Sequence, residues 1–109
     1  DRYTCIPGFY EDSLKDCKLP EGTRASIVNL DCDFYSATKL SLDFLKPYIH
    51  SFTLFYFDDL LSFSGNPYKG QLCAIREFNE ENHGKIGIEP CPIFNGKYQG
   101  RIYWAWKED

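Results

Sequence analysis

The 109-residue chain has no basic block or stripe, no apolar run near the length of a membrane span, and no CxxC pair. Each absence removes a class of function. Phosphate backbones are held by clustered Lys and Arg. Here 12 basic residues face 16 acidic ones, for a net charge of −4 and a pI near 5.1, so no nucleic-acid partner is expected. A membrane helix needs about 20 apolar residues in a row; none occurs, and no signal peptide is visible, so no membrane partner is expected either. The five cysteines, Cys5, Cys17, Cys32, Cys73 and Cys91, are odd in number and lack ligand spacing. That argues against a disulfide framework and against zinc. Buried free thiols in a reducing compartment, hence the cytoplasm, are the simpler expectation. No repeat, linker or low-complexity tract interrupts the chain. It begins at Asp1 without a methionine and turns apolar almost at once, as a piece of a longer protein or a processed chain would.

What is present is globular. A chain of this size forms one domain, residues 1–109, and can bury roughly two-thirds of its unfolded surface. Nine Phe and eight Tyr raise the aromatic content to 17%, enough to leave aromatic surface outside the core for a partner.

The pattern along the chain is that of an α/β protein. "RYTCIPGFY" reads as a strand ended by Pro7 and Gly8. The polar segment Glu11 to Arg24 reads as a loop with one short helical turn. "ASIVNL" is a near-continuous apolar run, as in a strand covered on both faces. From Ser36, a plausible N-cap, Ala37, Leu40, Ser41, Phe44, Leu45 and Tyr48 share one helical face. Pro47 ends that helix at Lys46. "FTLFYF" is a second buried-type strand. Asn66 and Pro67 suit a helix start, Leu72, Ile75 and Phe78 recur on one face, and Gly84 suits a C-terminal cap. Near the end, Asn95-Gly96 is a strong hairpin signal. In the last strand Ile102, Trp104 and Trp106 alternate with Tyr103 and Ala105. Strands alternating with helices imply parallel βαβ units, closed here by an antiparallel hairpin.

Two aspartate pairs stand where such sheets place their sites, outside the carboxyl ends of strands. Asp31 and Asp33 follow the first buried-type strand; Asp58 and Asp59 follow the second. If the strands are neighbours, these carboxylates converge on one crevice. They then repel one another unless a cation sits among them or some stay protonated. Hard oxygen donors suit Mg²⁺, Ca²⁺ or Mn²⁺. Taken singly, an Asp after a strand is a turn or cap residue; two pairs after consecutive strands point to a shared metal or acid–base site. His50 and His83 read as surface or capping histidines, Lys39 and Lys69 as solvated charges. Ser13 and Ser36 have no His and Asp partners for a hydrolase triad.

"NLDCDFYSATKLSLDFLKPYI" followed by "FTLFYFDDLLSFSGNPYKGQLCAIREF" resembles the macrocin O-methyltransferase-like family, class I enzymes that use S-adenosylmethionine. The strand-end pattern Asp-x-Asp-x-Tyr with following Ser/Thr appears as Asp31, Cys32, Asp33, Phe34, Tyr35, Ser36 and Thr38. The next strand ends in the acidic pair Asp58-Asp59, and "GFYEDSL" resembles a third family segment. The resemblance implies a Rossmann-like methyltransferase sheet, mostly parallel, with a closing antiparallel hairpin. It implies Mg²⁺ (or Mn²⁺) held by Asp31, Asp58 and Asp59, Asp33 as the general base, and a sugar-like small molecule as hydroxyl acceptor. The glycine-rich loop that binds the methyl donor has no counterpart among the eight glycines. The likeness is therefore to the C-terminal, acceptor and metal half. S-adenosylmethionine is expected to bind only if an N-terminal half is supplied, and the chain by itself is expected to be inactive.

Other readings follow from the same residues. The chain could be a non-catalytic, self-associating truncated α/β domain. An Asp-x-Asp phosphatase of the haloacid dehalogenase type would need a longer spacing between its acids, with a lysine between them. An Asp-x-Asp glycosyltransferase shares only the dipeptide pattern. With strands missing beside Arg2–Phe9 and Ser26–Leu30, an open sheet edge predicts a homodimer or larger oligomer.

Overall fold

The computed structural model describes residues 3–94 and 100–108. A single turn, α1 (Tyr10–Ser13), precedes β1 (Ile27–Leu30), α2 (Tyr35–Leu45), β2 (Leu54–Phe57), α3 (Gly70–Glu81), β3 (Ile86–Pro90) and β4 (Ile102–Lys107). Short 3-10 turns lie at Lys46–Tyr48 and Pro92–Phe94. The four strands form one sheet in the order β1-β2-β4-β3. β1 and β2 run parallel with α2 as their crossover, and β4 is antiparallel to both of its neighbours, β2 and β3. The class is α/β, but the sheet is mixed rather than mostly parallel. The return strand β4 inserts between β2 and β3, so two of the three pairings are antiparallel.

The register fixes which side chains share a face. Leu30 lies opposite Phe57, Phe55 opposite Tyr103, and Ile88 opposite Ala105. Side chains alternate across a strand, so these residues line one side of the sheet. There they form the core with Leu42 of α2 and with Ala74, Ile75 and Phe78 of α3. Phe57 is fully buried, 5.8 Å from the parallel ring of Phe55 and edge-on to Tyr103 at 5.3 Å. The strands are short and, among the described residues, α2 and α3 cover this side. That corrects the expectation for "ASIVNL": β1 is an edge strand with one open face, and Ile27 is 77% exposed. On the same open side Leu54, Tyr56 and Trp104 are half-buried and Trp106 is exposed. The alternation expected of β4 holds, with Tyr103 and Ala105 as its buried face. Pro90 is accommodated because β3 is the other edge.

Other expectations shift for physical reasons. Residues 3–9 form no strand; they find no sheet neighbour among the described residues and are exposed. α2 begins at Tyr35 after Phe34, with no side-chain cap, and Ser36 lies inside it. Its buried face is Thr38, Ser41 and Leu42 with the half-buried Leu45, while Leu40 is exposed. Asn66 and Pro67 make a turn instead of the helix start: Asn66 Oδ1 accepts the Tyr68 amide at 2.9 Å. α3 starts four residues after Asn66, at Gly70, where φ is +61° and a Cβ would lie 2.7 Å from the Phe63 ring. Only glycine meets both conditions without strain. Gly84, with φ +79°, lies two residues beyond the cap residue Asn82. The β3–β4 hairpin forms, while its Asn95-Gly96 signal lies outside the described residues. Three of the five free cysteines are buried; Cys5 is exposed and Cys17 half-buried, against the expectation for all five. No helix is long and apolar enough to cross a membrane among the described residues.

Candidate functional site

Parallel pairing of β1 and β2 brings their carboxyl ends side by side. Leu30 and Phe57 are register partners, and the Asp58 amide donates to the Leu30 carbonyl at 3.2 Å. One residue further on, the chain leaves each strand at an aspartate. Asp31 lies beside Asp58, and Asp59 beside Asp33, so like charges crowd the same strand ends. A carboxylate oxygen from each of Asp31, Asp33 and Asp59 lies within 4.8 Å of the other two. All four sequence-predicted aspartates therefore meet at one end of the sheet. The geometry does not set Asp33 apart from the others; it is one of the three that stand closest, with Asp58 against Asp31.

The electrostatics follow from this crowding. The Asp31 carboxyl is raised above its ordinary range, first by its hydrogen bond to Asp58 and then by the Asp58 charge. The Asp59 carboxyl is raised chiefly by burial and next by the charge of Asp33. Two carboxyls hydrogen-bond only if one keeps a proton. Asp59 Oδ2 is buried with no hydrogen-bond partner, which leaves an oxygen without the donor or cation that such an atom ordinarily has. Cys32, between the two aspartates of the first pair, is a bystander. Burial pushes its thiol up, and its Sγ lies 3.3 Å from Thr38 Oγ1.

Gln71 holds the two strand ends together, and it was not among the residues the sequence singled out. Its side chain is 1% exposed. Oε1 accepts the Asp59 amide at 2.9 Å. Nε2 donates to the carbonyls of Leu30 (3.1 Å) and Cys32 (3.3 Å) and lies 3.3 Å from Thr38 Oγ1. The signal was present in the spacing: Gln71 lies four and seven residues before Ile75 and Phe78, so it is a polar side chain on the buried face of α3.

One hollow reaches the carboxylates at Asp33, and a second lies between α2 and the start of α3. The first, of about 450 Å³, is lined by Gly8, Phe9, Tyr10, Asp33 and Phe34 among others. The second, of about 440 Å³, is bounded by Tyr35, Phe63, Tyr68, Lys69 and Glu77; the Tyr35 hydroxyl donates to Glu77. Lys39, expected as a solvated charge, is paired to Asp43 and Glu81. His50 lies at the opposite end of the sheet, its Nδ1 2.8 Å from the Ser51 carbonyl, and His83 is exposed beyond α3. Neither approaches the carboxylates. No family model, curated protein or solved structure matches this chain.

Proposed function

We propose that the carboxyl end of the sheet is a divalent-metal and acid–base site for a hydroxyl-bearing small molecule, the acceptor half of an O-methyltransferase-like reaction. The observation that carries this reading is the buried, unpartnered Asp59 Oδ2 within a cluster of carboxylates. Oxygens spread over 4.8 Å fit donors around one ion, whose first shell is roughly 4–5 Å across. The resemblance assigns Mg²⁺ or Mn²⁺ to Asp31, Asp58 and Asp59; of these, Asp31 and Asp59 belong to the convergent triad, whose third member is Asp33, and Asp58 stands against Asp31. When bound, the cation would lower the pKa of a coordinated hydroxyl. Asp33, with a carboxylate oxygen within 4.8 Å of those of Asp31 and Asp59, would take the hydroxyl proton as general base. Phe9 and Phe34, both exposed beside Asp33, offer flat apolar surface to the acceptor.

The methyl donor does not fit this chain. The β1–α2 link is Asp31–Phe34 and contains no glycine, and the β2–α3 link contains only Gly65 before the helix begins at Gly70. Neither forms a glycine-rich turn on a helix N-terminus, so we derive no step through S-adenosylmethionine and expect no methyl transfer by the chain alone. The reading also places the protein in the cytoplasm, where its free thiols stay reduced.

Titration calorimetry with Mn²⁺ and Mg²⁺ tests the site. We expect one saturable site per chain and proton release on binding, because raised carboxyls must lose their protons to coordinate. The release is read by repeating the titration in buffers of different ionisation enthalpy. No saturable heat up to millimolar metal would refute the metal reading.

A second reading, a self-associating α/β domain, is favoured by one observation. Among the described residues β1 is an unpaired edge beside an apolar face carrying Ile27, Phe52, Trp104 and Trp106. Such an edge pairs readily with another chain. We expect light scattering at micromolar concentration to give a dimer or larger species. A mass of 12.7 kDa that persists on concentration would exclude it.

A further inference from the structure

We infer that Gln71 is the positioning residue of the carboxylate site, the group that sets the β2 end against the β1 end. The inference rests on the metal reading above for its functional meaning, and on geometry for its substance. Four hydrogen-bond partners surround one buried amide, and they come from three separate segments. The Asp59 amide belongs to the link after β2, the Leu30 and Cys32 carbonyls bracket Asp31, and Thr38 lies in the first turns of α2. The strand pairing reaches only to the Asp58 amide on the Leu30 carbonyl. Beyond that point no backbone hydrogen bond joins the two links among the described residues, and like charges among the carboxylates repel. Gln71 is the side chain that ties them across the gap.

The chemistry of the residue suits the task. A carboxamide both donates and accepts, so it can grip an N–H of one link and two C=O groups of the other. Glu in its charged form would present oxygen to the Leu30 and Cys32 carbonyls and add a fifth negative charge. Leu or Met would fill the volume and leave the Asp59 amide and both carbonyls unpaired. The carboxamide is neutral at all working pH values, so it holds the carboxylates in register without taking part in their titration. It touches no reacting atom, and its effect passes through Asp59 and the Asp31–Asp33 link.

The test compares wild type with Gln71→Met and with Ile88→Val, a core change in β3 that lowers stability without touching the site. Two readouts are taken: Mn²⁺ affinity by calorimetry, and amide hydrogen exchange. Gln71→Met should weaken Mn²⁺ binding by about 10–100-fold, the range for removing a group that orients a ligand. It should also speed exchange at both Asp58 and Asp59 by at least about tenfold through local opening of the links. Ile88→Val should leave affinity and the relative protection of those two amides unchanged. Wild-type Mn²⁺ affinity in Gln71→Met, or an affinity loss matched by Ile88→Val, overturns the inference. If wild type itself takes no Mn²⁺, the metal reading falls and exchange alone decides. Asp58 exchanging at the wild-type rate in Gln71→Met then refutes the positioning role, since Asp58 makes no direct bond to Gln71.

Discussion

Asp59→Asn is expected to abolish divalent-metal binding and, at the same time, to raise the melting temperature of the metal-free protein. Asp59 supplies the buried oxygen that has no partner, and its carboxyl is raised by burial and by Asp33. Replacing it with an amide removes one negative charge from the cluster and supplies an N–H to its neighbours. Loss of a direct ligand should cost Mn²⁺ affinity about 100-fold or more, beyond the ~10–100-fold of an outer-shell change. In wild type, metal at 100 times its dissociation constant should stabilise by about 2.7 kcal/mol, worth roughly 10 °C or more in a domain this size. In the variant that metal-dependent shift should vanish. Equal metal-induced shifts in the two proteins would remove Asp59 from the ligand set.

The pH dependence of the metal-free protein follows from the same crowding, with a definite sign. Asp31 and Asp59 have folded pKa values raised above the ordinary 3.8. Above 3.8 the folded chain therefore holds more protons than the unfolded one, and stability falls as pH rises through the folded values. The contribution of these two groups is complete below 3.8 and lost above their raised pKa values. Thermal melts at successive pH should show the advantage of Asp59→Asn over wild type growing as pH rises through that window. Parallel curves would mean that Asp59 does not titrate with a raised pKa.

Phe57→Ala is expected to cost about 3–5 kcal/mol, a large share of the 5–15 kcal/mol that holds a typical domain folded. Phe57 has no exposed surface, and it packs against Phe55 and Tyr103 directly beneath the Asp58 backbone. The space it leaves is enclosed by the sheet and α3 and cannot collapse without moving the strand ends. Ile27→Ala, at an equally apolar position of the neighbouring strand, should change stability by no more than about 0.5 kcal/mol, because Ile27 is 77% exposed. Chemical denaturation of both variants gives the comparison. Similar costs would mean that the open face of β1 is covered in solution, which would favour the self-associating reading.

These contrasts show what could be read before the fold was known. Strand, helix and strand from Ile27 to Phe57 were legible because their cues are local: a run of β-branched and aromatic residues, a 3.6-residue period, a proline stop. The convergence of Asp31, Asp33, Asp58 and Asp59 was legible for a related reason. Two apolar strands joined by one helix are parallel neighbours, and parallel neighbours end on the same side. The strand expected from Arg2 to Phe9 is absent over residues 3–9, the part described, because a strand is completed by a hydrogen-bonding neighbour, which local sequence does not supply. The two-sided burial expected of β1 failed likewise, since apolar content says that a residue can be buried and not that a layer exists to bury it.

By itself, then, the sequence determined the α/β class, the alternation of β4 and the four acids at the strand ends, all properties of residues close in the chain. The tertiary structure decided three things. β4 turned back between β2 and β3 and made the sheet mixed. The helices settled on one face and left Ile27 and Trp106 in the open. Gln71, 41 residues from Leu30, became the tie between two loops. Each depends on groups far apart in sequence coming within hydrogen-bond or van der Waals distance, and no local pattern encodes a distance that only folding creates.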